Sequence, residues 1–171
     1  MNTNEINNFN EMKKIKINRP TPDNFAQYGQ IIDLNNLGPS TIDTAVVQFW
    51  KQQVNVDFEG ELEIGVLKVK KHEMLIDELE NHFKTPTIMM SLNGDFLFPV
   101  APCKDEVPDV NEIEVFKIEE NQLYMMNPKC WHGEVYPMDK DELTLLVFLK
   151  KGSLDNDTVF EKLSEQCRIV E

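Results

Sequence analysis

Apolar and polar residues alternate in short runs through most of this chain, the period-two pattern of strands that bury one face. Ile15 and Ile17 alternate with lysines, and residues 30–34, 45–50 and 54–58 read as further short strands. Leu62, Ile64, Val66 and Val69 continue the alternation, with a slip at Gly65–Leu67 that predicts a bulge. Residues 87–92 and 96–100 flank Asn93-Gly94, a two-residue hairpin signal. Residues 112–118 alternate again, and the continuously apolar run 143–149 predicts a buried central strand. Two helices are expected. One opens at Thr21 with Pro22 and Asp23 in its first turn and stops at Gly29. The other covers 155–167, with Val159, Phe160 and Leu163 on one face. Residues 1–14 are polar and Asn-rich and read as a loosely ordered tail, which leaves 15–171 as a single domain. Many short strands with regular turns and few helices predict a mainly β fold, an antiparallel barrel or sandwich.

Composition narrows the setting. A chain of 171 residues with 41% apolar content can bury a core without disulfides or a structural metal. A net charge of -13 repels nucleic acid and anionic membranes, so neither is an expected partner. The cysteines, Cys103, Cys130 and Cys167, are widely spaced and form no CxxC pair. The first residues hold no apolar signal region, and no apolar run reaches the roughly 18 residues of a membrane helix. These features point to the cytoplasm and to reduced thiols.

Candidate chemistry gathers around two of the three histidines. His72 sits in the charged stretch Lys70-Lys71-His72-Glu73 and is left there. In Glu80-Asn81-His82, a strand would put Glu80 and His82 on one face. The competing reading makes 76–82 a short amphipathic helix ending at His82. The spacing of Glu80, His82, Thr87 and Gly94 resembles the first ligand motif of cupin barrels, with Thr87 at the later ligand position. In Asn127-Pro128-Lys129-Cys130-Trp131-His132 a turn delivers His132 to a late strand, where cupins supply their last ligand. Glu80, His82 and His132 together form a candidate site for a divalent metal, although the sequence requires none. Cys130 beside His132 has no third group to orient a nucleophile and reads as a small buried hydrophobe. The Met89-Met90 and Met125-Met126 pairs read as core filler.

Taken together, these blocks resemble the ureidoglycolate lyase family. The resemblance runs from Thr21-Pro22-Asp23-Asn24-Phe25-Ala26-Gln27-Tyr28-Gly29 through Glu78-Leu79-Glu80-Asn81-His82 and the block 94–102. It continues at Val107-Pro108-Asp109-Val110, at 116–122, at Trp131-His132 and at 144–150, in the family's order and spacing. Five positions depart from the family. Thr87 stands where a glutamine is usual, and Met126-Asn127 where a Tyr-His pair is usual. Gly133 replaces a second histidine, and Asn81 replaces an arginine.

The resemblance implies a cupin-like antiparallel β-barrel, a homodimer, and a small carboxylate substrate. It implies C–N elimination that releases urea and glyoxylate from ureidoglycolate, or an equivalent step on a related compound. On that reading His132 is the base or a metal ligand and His82 its partner, since imidazole titrates near neutrality. Glu80 orients His82 or binds the substrate amide, Lys68 meets the carboxylate, and Thr87 and Trp131 complete the binding surface. Two other readings stay open: a small-molecule-binding cupin without catalysis, and a metal-dependent cupin isomerase. The missing polar positions lead us to expect little or no turnover of ureidoglycolate itself.

Overall fold

The computed structural model describes residues 12–171. The expected N-terminal tail therefore lies outside the described residues up to Glu11, while Lys13 and Lys14 already belong to a strand. In chain order the first strands are β1 (Lys13–Asn18), β2 (Gly29–Asp33), β3 (Ile42–Asp43), β4 (Gln48–Phe49) and β5 (Leu62–Lys70). There follow β6 (Leu75–His82), β7 (Thr87–Ser91), β8 (Phe96–Cys103), β9 (Glu114–Ile118) and β10 (Gln122–Met126). The chain closes with β11 (Cys130–His132), β12 (Tyr136–Pro137), β13 (Glu142–Lys150) and β14 (Thr158–Val170). Among the described residues helix is confined to α1 (Pro22–Phe25), α2 (Ser153–Asn156) and one 3-10 turn at Val110–Glu112.

The long strands divide between two sheets, so the mainly β expectation holds, but the sheets do not close into the expected barrel. One sheet runs β11-β6-β14-β1-β9-β8-β12, with β11 also laddered to β8. The other runs β2-β10-β7-β13-β5. Pairings within the sheets are antiparallel except at β1, which lies parallel to both β14 and β9. Met89, Tyr124, Leu143 and Leu145 from the smaller sheet pack against Phe96, Phe98, Phe116 and Ile118 from the larger one, so the core lies between the two faces. A second cluster, with Ile15, Leu97, Val115 and Trp131, fills the other face of the larger sheet.

Local signals were read correctly where they were strongest. Thr21 caps α1 reciprocally: Asn24 N donates to Thr21 Oγ1 at 3.1 Å, and Thr21 N donates to Asn24 Oδ1 at 2.7 Å. Gly29 opens β2 where a side chain would collide with the Met125 carbonyl. The run 143–149 is β13, an interior strand between β5 and β7, although only Leu143, Leu145 and Leu149 of it are buried.

Several expectations are corrected. Asn93-Gly94 does not close a hairpin, because β7 pairs with β10 and β13 while β8 pairs with β9, β11 and β12. The turn carries the chain from one sheet to the other. Asn93 ties it to β13 by donating from Nδ2 to Glu142 O and accepting from Thr144 N. The predicted bulge in β5 is absent, since the register with β13 runs unbroken from Lys70 to Leu62. Of the strands expected over 45–50 and 54–58, only Gln48–Phe49 forms, paired with β3. This excursion lies outside both sheets and has no further strand to pair with, which leaves Val46, Val47 and Phe49 exposed. The helix expected over 155–167 is the strand β14. It pairs with β6 and β1 with a register shift between Lys162 and Cys167, and Val159 and Phe160, adjacent and both exposed, break the alternation that would have revealed it.

Candidate functional site

β6 and β11 are neighbours, and their register sets Glu80 directly opposite His132. The helical reading of 76–82 is thereby excluded. In β6, alternation turns Glu80 and His82 to one face and Asn81 to the other. Asn81 is fully buried there and donates from Nδ2 to Lys129 O at 2.8 Å. Lys129, at a left-handed φ of 70°, donates its N–H to His82 O at 2.7 Å. These two bonds tie the turn before β11 to β6 and so fix where His132 emerges.

Glu80, His82 and His132 offer ligand atoms that all lie within 4.8 Å of one another. The rings of His82 and His132 are 5.5 Å apart, and His132 also sits 5.5 Å from the ring of Phe98. His132 Nδ1 approaches Glu80 Oε1 at 3.2 Å. The approach is not aligned as a hydrogen bond, so both ring nitrogens of His132 are buried without a partner. His82 Nδ1 lies 3.2 Å from Thr158 Oγ1, whose hydroxyl donates to Ser153 O. That network assigns the hydrogen to His82 Nδ1 and leaves Nε2 with a free lone pair.

The surroundings set the charges. Burial, then the nearby carboxylates of Glu134 and Glu78, push the Glu80 carboxyl up to about 7. Burial, then the adjacent His82, push His132 down to about 3, so its ring is neutral at physiological pH. Burial also lowers His82, against the opposing pull of Asp157. The trio therefore combines two neutral imidazoles with one carboxyl that titrates near neutrality. Two imidazoles and a carboxylate suit a divalent transition metal, and the unpartnered nitrogens of His132 are donors that such an ion would satisfy. The residues fit the group.

The trio lines a pocket of about 810 Å³ between the sheets. Thr87 lines it too, and is buried. Lys68 lies at its exposed edge, held 3.3 Å from Glu142. Trp131 does not line it, and its expected place in the binding surface is corrected. Alternation along β11 turns the indole away from His132, into the core behind the larger sheet. There Nε1 donates to Lys104 O at 3.1 Å, and Phe83 meets the ring edge-on. The expectation of separate thiols also gives way, because β8 and β11 set Cys103 and Cys130 directly opposite each other and the two are joined as a disulfide. Cys167 remains a free, buried thiol.

The sequence reading missed other residues of the wall. His72, dismissed as part of a charged stretch, lines the pocket. Its Nδ1–H donates to Lys70 O at 2.8 Å, its Nε2 lies 3.1 Å from Glu134, and its ring rests on Tyr136. Phe160, read as one face of a helix, lies beside Glu80 in the β14–β6 register. Tyr124 is fully buried against Phe98 with an unpartnered hydroxyl, and burial together with the Glu80 charge raises its pKa well above the usual value. Gly133, at the family's second histidine position, has Pro99 3.2 Å from where a Cβ would stand, so a side chain there would have to displace it.

The sequence model of ureidoglycolate lyase matches residues 12–169, nearly the whole chain. The chain belongs to the ureidoglycolate lyase family. No curated protein matches it. Among solved structures, RmlC from Streptococcus suis, in complex with dTDP-D-xylose, is similar at 14% identity and a TM-score of 0.42. That likeness covers 54% of this chain and 45% of RmlC. Oxalate decarboxylase from Lactobacillus farciminis is similar at 11% identity and a TM-score of 0.41, over 61% of this chain and 29% of that one. The Bacillus subtilis oxalate decarboxylase determined at pH 4.6 gives 13% and 0.41, over 80% and 28%. The chain thus spans less than half the length of each. Among the described residues no helix is long and apolar enough to cross a membrane.

Proposed function

We propose that this member of the ureidoglycolate lyase family breaks a carbon–nitrogen bond in a carbinolamide, a carbon bearing both a hydroxyl and an amide or urea nitrogen. One observation carries the reading: Glu80, His82 and His132 converge within 4.8 Å in the wall of a single pocket. A general base must act near its own pKa, and the Glu80 carboxyl is held at about 7. Glu80, poised against the neutral ring of His132, takes the hydroxyl proton as the C–N bond breaks and the carbonyl forms. It then returns that proton to the departing nitrogen, so the reaction is balanced without a co-reactant. His82, oriented through Thr158, presents its Nε2 to the same centre. Glu80, His82 and His132 would also hold a divalent cation, which when bound supplies Lewis-acid polarisation of oxygen. The family further implies a homodimer, for which light scattering should give twice 19.9 kDa.

The test is turnover of carbinolamides followed by release of urea. Ureidoglycolate should be a poor substrate. His132→Ala should lower turnover of the best compound by at least about 10²-fold. Unchanged turnover in that variant would remove the trio from the reaction.

A further inference from the structure

The pocket is built for something other than a small polyanion. Its volume of about 810 Å³ lies in the upper part of the roughly 300–1,000 Å³ range of drug-sized ligand sites. Beyond the trio one strip of its wall is apolar, while acidic side chains hold the rest. The inward-facing positions of β5 and β13 contribute Leu67, Val69, Val147 and Leu149, and the wall leads to a rim of Leu154 and Phe160. Both rim side chains stand open to solvent, 64% and 59% exposed, at the mouth of the cavity. Gly65 lies in the same row as Leu67, and a Cβ there would meet nothing nearer than 3.9 Å. The sequence thus leaves space in the wall beside Val147.

The charges point the same way. Glu63, Asp77, Glu78 and Glu134 line the pocket in addition to Glu80. Of the lining lysines, Lys68 is paired with Glu142, which leaves Lys70 at the exposed end of β5. Neither arginine of the chain, Arg19 or Arg168, lines the pocket. No guanidinium fork is present to clamp a carboxylate, and the acidic wall repels one.

Resting on the carbinolamide reading, we propose that the reacting carbon of the substrate carries an apolar chain of several carbons in place of a carboxylate. The chain lies along the β5–β13 wall and covers Leu154 and Phe160 at the rim. The products are then an aliphatic aldehyde and a urea or amide: the hydroxyl proton moves to the nitrogen, the C–N bond breaks and the C=O bond forms.

Calorimetry on the protein as purified, with and without added Mn²⁺, tests this with n-alkylureas from methyl to hexyl. Matching 1-alkanols serve as probes that lack the urea head. Each added methylene should tighten binding by about three- to fourfold until the chain reaches the rim. N-carbamoyl amino acids of the same chain length should bind at least about tenfold more weakly than the alkylureas. Phe160→Ala should reduce the gain from the last carbons, and Gly65→Val should take away the gain from the longer chains. Affinity that is flat with chain length in both series, whether the rim is solvent-facing or covered by a second copy of the chain, would overturn the proposal. So would tighter binding of the N-carbamoyl amino acids. The two readings fail separately: unchanged turnover in His132→Ala sinks the reaction, whereas flat series sink the apolar subsite alone.

Discussion

The space between the two sheets is closed in one region and open in the other. In the closed region Phe25, Tyr28 and Phe116 meet edge-on, with centroids 5.3 to 5.9 Å apart, and every one of them is buried. In the open region the inward positions carry Glu80, His82, Thr87 and His132, and the space beside them is a pocket. Phe98 stands between the two, 5.0 Å from Tyr124 on one side and 5.5 Å from His132 on the other. The difference teaches where each property resides. Aromatic interlock stabilises the sandwich, which lets the other region keep unpartnered polar atoms and a carboxyl displaced from its ordinary pKa.

Four substitutions sharpen or break this division, from the largest expected effect to the smallest. Phe116→Ala opens a cavity in the closed region and should cost about 3–5 kcal/mol in denaturant unfolding. Turnover per folded molecule should hold, and a loss of activity beyond the loss of folded protein would mean that the two regions are coupled.

Glu80→Gln acts in the opposite sense. The carboxyl is raised to about 7 when folded, so between its unfolded pKa near 4.5 and about 7 the folded state binds the extra proton. Glu80 thus contributes stability below that window and loses it as pH rises through about 7. The neutral isostere escapes the loss. It should be more stable than wild type by on the order of 1–2 kcal/mol at pH 8, allowing for partial exposure, with the gap closing at pH 5. Equal melting at both pH values would show that the carboxylate is well solvated. Turnover should fall in the same variant.

Trp131→Phe removes the donor to Lys104 O and should cost about 1 kcal/mol or a little more, with turnover unchanged. A marked fall in its turnover would return Trp131 to the site. Lys68→Ala should change stability by about 0–1 kcal/mol and turnover by less than about threefold, because its exposed pair with Glu142 is screened by water. A large loss would restore Lys68 as the substrate's cation and count against an apolar chain.

Much of this was legible in the chain. The mainly β fold and the cap at Thr21 follow from local rules, because period and capping act within a few residues, whereas the shared face of Glu80 and His82 competed with a helical reading of 76–82. What the sequence left ambiguous was register. Asn93-Gly94 signals a tight turn equally well whether the next strand pairs back or crosses to the other sheet. Val159, Phe160 and Leu163 mimic a helix face because β14 carries apolar residues on both faces there, with Val159 and Phe160 adjacent and both exposed.

Composition and motif by themselves determined the class of fold, the family and the three groups that carry the candidate chemistry. Tertiary structure decided which neighbours those groups acquire. Strand pairing set Glu80 opposite His132 and Cys103 opposite Cys130, and turned Trp131 away from the pocket. It also brought His72, Leu154 and Phe160 to one wall from three separate stretches of sequence. The reason is physical. Hydrophobic periodicity says which face of a strand is buried, but pairing is settled by the sum of many long-range contacts. Only that sum fixes the dry, acidic surroundings that hold Glu80 near neutrality and His132 uncharged.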